Sequence, residues 1–299
     1  MNSPYVLLYW GGATSFKGLN AHMKYILSFY LVTGLVLFLS PSAEAVESEA
    51  QKYQKCMTLA QSHKTEEAMQ AVDYANDWIF GGHGGIAGGV PAKHCKALGL
   101  LAMGKAKQAA ELLESLVDEL VINGDPDPRL AVRNSQLKVE LNLQAGLAWK
   151  EFEDYDNSYM AFSSAVAGIT QKNFPNSQAL LYELYLERGT LQNLRRQYKS
   201  AVEDFNLAIE KNDQQFEGFL QRAKAYRKRR KFLQARLDLK VAAIIEKDHP
   251  EILLESGILY REEGRKLDAK LAWQMIIDQA PDSEYAKLAQ TNIELLVKK

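Results

Sequence analysis

Only two cysteines and five histidines occur among the 299 residues, and no apolar run approaches the ~20 residues a helix needs to cross a bilayer. Charge of one sign is also missing. With 36 basic and 37 acidic residues the formal net charge is −1, so nothing draws the chain generally toward nucleic acid. The histidines (His22, His63, His83, His94 and His249) are scattered without the His-Glu-x-x-His spacing that would hold a metal. No Gly-x-Ser-x-Gly elbow is present. His94 and Cys95 adjoin, but neighbouring helical residues point ~100° apart and cannot act together as base and nucleophile. His94 is expected half exposed on a helix surface. No catalytic residue, no cofactor and no metal is expected, and the chain reads as a non-enzyme.

The longest apolar run, Ile26 to Leu39, has the length of a secretory signal-peptide centre. Lys24 precedes it, Pro41 follows it, and Ala43-Glu44-Ala45 supplies a small-x-small cleavage site. Residues 1–45 are therefore read as a leader, cleaved before Val46, with Met23 a better start than Met1 because residues 1–22 carry only Lys17 as charge. The expected destination is the envelope of a Gram-negative cell, most simply the periplasm. An uncleaved N-terminal membrane anchor is the alternative.

A 34-residue period governs the second half. Ala201, Ala235 and Ala269 are 34 apart, and four residues after each comes a bulky apolar residue: Phe205, Leu239, Trp273. Twelve residues before each stands a small one: Gly189, Ala223, Gly257. Small positions let a second helix approach closely, and the bulky residue fills the space beside them. Turns are expected near Arg196-Gln197, Arg230-Lys231 and Gly264-Arg265. Each unit is then a helical hairpin that cannot bury its apolar face alone and must stack on its neighbours.

On these residues the sequence resembles the tetratricopeptide-repeat family, whose unit has this length and this small–aromatic–Ala–large–Ala pattern. Weaker copies extend the likeness backward through Gly146, Phe162 and Ala165, through Ala97, Gly104 and Ala109, and through Cys56, Ala68 and Ala75. The resemblance implies an all-α fold, a right-handed α-solenoid of stacked hairpins closed by a C-terminal capping helix. Residues 46–123 are expected to form degenerate hairpins, 130–283 regular repeats and 284–299 the cap.

Two irregular stretches interrupt the early repeats. Gly81 to Gly89 contains six glycines but neither a preceding strand nor the Lys of a phosphate loop, so a flexible connection is expected, with Pro91 in the first turn of the next helix. Val121 to Arg129 reads as a second loop. Cys56 and Cys95 occupy small-residue sites of adjacent hairpins. An exported pair invites a disulfide, whereas a helix spacing of roughly 8–10 Å would favour two buried thiols. Both readings stand at this point.

In the resembled family partners bind along the concave face of the first helices. By register that face carries Glu140, Glu183, Glu217 and Glu251 beside Leu143, Leu186, Leu220 and Leu254. Leucines at these positions leave no place for the family's lysine clamp on a C-terminal carboxylate. The sequence has one basic cluster, Arg222, Lys224, Arg227, Lys228, Arg229, Arg230 and Lys231. The expected function is an envelope scaffold or adaptor that binds a protein segment in the groove. The alternative is a structural protein that touches membrane or anionic envelope polysaccharide through the basic cluster.

Overall fold

The 34-residue pattern is realised as helical hairpins. The structure is a computed structural model describing residues 48–62, 64–80, 86–122, 128–169, 174 and 176–297. The leader, its cleavage position, and Gly81–Gly85 lie outside the described residues. Among those described, thirteen helices and no strand occur. They are α1 (Glu49–Ala60), α2 (Thr65–Phe80), α3 (Ile86–Ala102), α4 (Ala106–Ile122), α5 (Pro128–Glu151), α6 (Tyr155–Gly168) and α7 (Gln178–Leu194). There follow α8 (Tyr198–Lys211), α9 (Phe216–Lys228), α10 (Phe232–Ile245), α11 (Pro250–Glu262), α12 (Lys266–Gln279) and α13 (Glu284–Val297). None is long and apolar enough to cross a membrane. The helices form two compact units, Met1–Leu116 and Val117–Lys299.

In the first unit α1, α2 and α3 pack mutually around Cys56, Met57, Ala60, Ala71, Ala75 and Cys95. Cys56 and Cys95 are bridged, with their Cα atoms 6.0 Å apart. The alanines explain why the bond forms despite the usual helix spacing: fully buried Ala71 and Ala75 fill little volume, so α1 and α3 can close in. The same approach overturns the expectation for His94. It is only 2% exposed, and its Nδ1 lies 2.8 Å from the Tyr53 hydroxyl in a hydrogen bond between α3 and α1. Two boundaries also differ from expectation. Helix α3 begins at Ile86, so Gly88 and Gly89 are helical and Pro91 is its sixth residue rather than part of its first turn. Helix α4 runs to Ile122 and Pro128 opens α5, which confines the second connection to residues 123–127.

The second unit stacks four hairpins, α5/α6, α7/α8, α9/α10 and α11/α12, and α13 packs on α12. One contact recurs in each hairpin. A Cβ at Gly146 would stand 2.8 Å from the Phe162 ring, and one at Gly189 would stand 2.6 Å from the Phe205 ring. At Gly257 a Cβ would collide with Trp273, whose Nε1 donates to the Leu254 carbonyl at 3.2 Å. The third hairpin places Ala223 opposite Leu239, both buried. Glycine thus accompanies a ring and alanine accompanies leucine, so total volume at the crossing is held nearly constant. In α6, Ser158 stands where the pattern has Ala, and its hydroxyl donates to the Gly146 carbonyl at 2.6 Å.

The hairpin turns are alike. Glu153, Arg196, Arg230 and Gly264 have φ of 64°, 59°, 58° and 82°. In each case the next N–H reaches back to a first-helix carbonyl, as in Gln197 to Gln192 at 2.8 Å and Arg265 to Tyr260 at 2.8 Å, in the manner of a Schellman C-cap. Within hairpins, Arg188 grips Asp204 through two bonds (3.0 and 2.5 Å), and Arg222, 34 residues on, grips Asp238 through two (2.8 and 2.7 Å). The next equivalents are Ser256 and Ala272.

Volume matching at the crossing makes a directional expectation. Gly189→Ala should destabilise the second unit by about 1–3 kcal/mol through overpacking. Phe205→Leu in the same chain should recover most of the loss, because it recreates the Ala223–Leu239 pair. Thermal unfolding of the two single variants and the double variant checks this, and strict additivity would contradict it. The bridge offers a second test: it closes a separation of 39 residues, worth on the order of 4 kcal/mol by chain entropy. Reductant should lower the melting of the Met1–Leu116 unit and leave the other transition in place.

Candidate functional site

The first helices α5, α7, α9 and α11 carry the expected groove residues, and the structure divides that set. Leu143, Leu186 and Leu220 are 3%, 2% and 0% exposed, and Leu186 and Leu220 belong to the hairpin cores. Leu254 packs partly buried against the cluster around Trp273. These leucines are packing residues, not a stripe offered to a partner. Stacking at this position turns the side chain into the neighbouring hairpin, which no single helix could reveal. The glutamates remain a polar row: Glu140, Glu217 and Glu251 are half-buried, while Glu183 is 6% exposed.

Ion pairs tie successive first helices together in a repeating register. Between α5 and α7, Lys150 pairs with Glu187 at 2.5 Å. Between α9 and α11, Lys224 pairs with Glu251 at 2.6 Å, and buried Arg227 binds Glu255 at 2.5 and 3.3 Å and Glu262 at 2.6 Å. Three members of the basic cluster are therefore engaged internally, since Arg222 holds Asp238. Lys228, Arg229, Arg230 and Lys231 stay exposed at the end of α9, with Arg230 5.5 Å from the Phe232 ring centre.

The step between α7 and α9 differs. Thr190 holds the place that Lys224 takes one repeat later, Asn193 that of Arg227, and Gln221 that of Glu255. Both cations are absent from this step. The Thr190 hydroxyl donates to the Leu186 carbonyl at 2.8 Å instead. One carboxylate oxygen of Glu183 and one of Glu217 have no hydrogen-bond partner, and neither do Gln192 Oε1 and Asn193 Oδ1. Glu183 shows the consequence. Burial first, then the charges of Glu187 and Glu217, push its carboxyl up to about 7. Tyr182 beside it is raised too, by burial and then by Glu217, while its hydroxyl accepts the Gly218 N–H at 3.2 Å.

A second surface went unnoticed in the sequence. Along α10 and α12, Leu233, Leu237, Leu267, Leu271 and Met275 are exposed, with Leu267 at 80%. Leu233/Leu267 and Leu237/Leu271 are 34 apart, a signal present in the period. A groove of about 570 Å³ runs between these helices, lined by Leu237, Ile252, Leu253, Tyr260, Leu271 and Met275 among others. Among the described residues no cluster of three His, Cys, Asp or Glu could hold a metal ion.

Because the Glu183 carboxyl is higher in the folded chain than its ordinary 4.5, folding takes up a proton between about pH 4.5 and 7. Its ionisation therefore removes stability as pH rises through that window, by on the order of 1–3 kcal/mol in total. Glu183→Gln should flatten this fall and raise the melting temperature at pH 8. Urea midpoints of both proteins across the range measure it; parallel profiles would show that Glu183 is not the group involved.

No family model matches the chain, and no curated protein matches it either. Solved structures do. PilF of Pseudomonas aeruginosa is 15% identical, with a TM-score of 0.53 over 84% of this chain and 99% of that one. A MamA double mutant is 13% identical, with a TM-score of 0.50 over 65% of this chain and 97% of that one. YrrB, described as a TPR protein with an unusual peptide-binding site, is 15% identical, with a TM-score of 0.47 over 76% of this chain and 100% of that one. At these identities the likeness speaks for the fold alone, and the fold is that of the tetratricopeptide-repeat proteins.

Proposed function

We propose that this chain is a non-enzymatic scaffold of the cell envelope that holds a segment of a partner protein against its first-helix face, centred on α7 and α9. The fold supports protein interaction in general. The observation that carries the location is the break in the ion-pair register. Glu187, Glu251 and Glu255 are each bonded to a cation of the preceding first helix, whereas Glu183 on α7 and Glu217 on α9 each keep a buried carboxylate oxygen without a donor. Buried acceptors are normally bonded, and an unfilled set is a face suited to an incoming chain with its own donors.

Two features support the compartment. The Cys56–Cys95 bridge is a bond that persists in an oxidising environment, and the residues before Val46 have the leader pattern. A second reading, contact with anionic envelope polymer or lipid, has the exposed run Lys228–Lys231 in its favour. It depends on screened charge and so weakens steeply with salt.

Capture from envelope extract, with partners identified by mass spectrometry, tests the location. Thr190→Trp with Asn193→Trp should abolish capture while helical circular dichroism persists, because the indoles occupy the face. Leu237→Ser should leave capture intact. Unchanged capture by the tryptophan variant would place the site elsewhere, and loss with Arg229→Gln and Arg230→Gln at raised salt would favour the polymer reading. For the compartment, N-terminal sequencing of envelope material should begin at Val46; cytosolic protein retaining Met1 or Met23 would contradict export.

A further inference from the structure

The location says nothing of which chemistry the face receives. Resting on that reading, we infer that Glu183 and Glu217, with Glu187 beside them, form a seat for one cationic side chain of the partner segment, a lysine ammonium or an arginine guanidinium.

The protein itself displays the filled form of this seat one repeat later. Lys224 reaches from α9 to Glu251 on α11, bridging the positions that Thr190 and Glu217 occupy between α7 and α9. Arg227 reaches Glu255 in the same step, where the earlier one has Asn193 and Gln221. The α7–α9 step therefore keeps one acid of the register, Glu217, and lacks both cations. Glu187 and Glu217 lie near enough to act on Glu183 through their charge, and Lys150 binds Glu187 from the α5 side.

Glu183 is the decisive member. Its side chain is buried at 6% exposure with a carboxylate oxygen that nothing bonds, while two like charges press on it. An uncompensated buried carboxylate is unfavourable, and an arriving cation reverses the sign of its interactions. Glu217 is half-buried, so the seat is open on one side, and a long lysine or arginine stem can carry its charge in while its methylenes lie along the packed surface. A metal ion is the poorer occupant, since no three-ligand cluster is formed among the described residues.

Two measurements on the full chain test this without any natural partner. The first supplies the cation from within. Thr190→Lys should raise the melting temperature at pH 8 by roughly 2–4 °C relative to Thr190→Met, a side chain of similar reach without charge. The second supplies it from outside. N-acetyl-lysine methylamide and N-acetyl-arginine methylamide, titrated against carboxyl-labelled protein, should shift the Glu183 and Glu217 resonances saturably. Their binding should be about tenfold or more tighter than that of the norleucine and citrulline analogues, and it should vanish in Glu183→Gln with Glu217→Gln. Equal melting of the Lys and Met variants together with equal binding of charged and neutral probes would overturn the seat. Capture from envelope extract does not depend on this result: intact capture with a failed probe would keep the face and reject the cation, whereas a binding probe with no capture would do the reverse.

Discussion

Close approach between the two helices of each hairpin is the constraint on which the second unit depends. It is set by a volume rule at one crossing: Gly146 against Phe162, Gly189 against Phe205, Ala223 against Leu239 and Gly257 against Trp273. Rigid, close-packed interiors tolerate neither a surplus methyl nor a void, so each small residue fixes the size of its partner. With that distance fixed, the rest follows. Turn geometry repeats with a left-handed residue at the same position, the bidentate Arg–Asp pairs fall into place in two hairpins, and the first helices align so that the Lys150–Glu187 pair recurs as Arg227–Glu255.

Ion pairing between hairpins is the next level, and there the repeats stop being equivalent. Lys150, Lys224 and Arg227 each pair with a carboxylate on the first helix of the next hairpin. At the α7–α9 step Thr and Asn stand in place of those cations, and Glu183 is left with its proton affinity raised by burial and then by the charges of Glu187 and Glu217. Among the equivalent glutamates Glu251 is paired by Lys224, whereas Glu183 and Glu217 each keep a buried carboxylate oxygen that nothing bonds. Such a local conflict within an otherwise consistent fold is where function is expected to reside.

Much of this was legible in the sequence. The period, the turns, the capping helix and the approximate hairpin limits could be read because steric rules repeat with the chain. The pairing of Cys56 with Cys95 was open, because it depends on how far alanines let α1 and α3 approach. Burial of Leu143, Leu186 and Leu220 was not legible: it depends on the next hairpin, which covers a position that one helix leaves open. His94 was misplaced for a related reason, since the bridge at Cys95 draws its helix against Tyr53. The missing cations at Thr190 and Asn193 were visible in the register, yet they gained meaning only once Lys224–Glu251 and Arg227–Glu255 showed what those positions do.

The central claim is that Glu183 is a buried carboxylate awaiting a cation. Its own titration, followed by the carbon resonance of its side-chain carboxyl, addresses that claim most directly. A midpoint near 7 in the free protein, falling to or below the ordinary carboxylate value of 4.5 when a basic segment is bound, is the expected result. A midpoint already near 4.5 in the free protein would mean that the charge is solvated or paired, and would contradict the account.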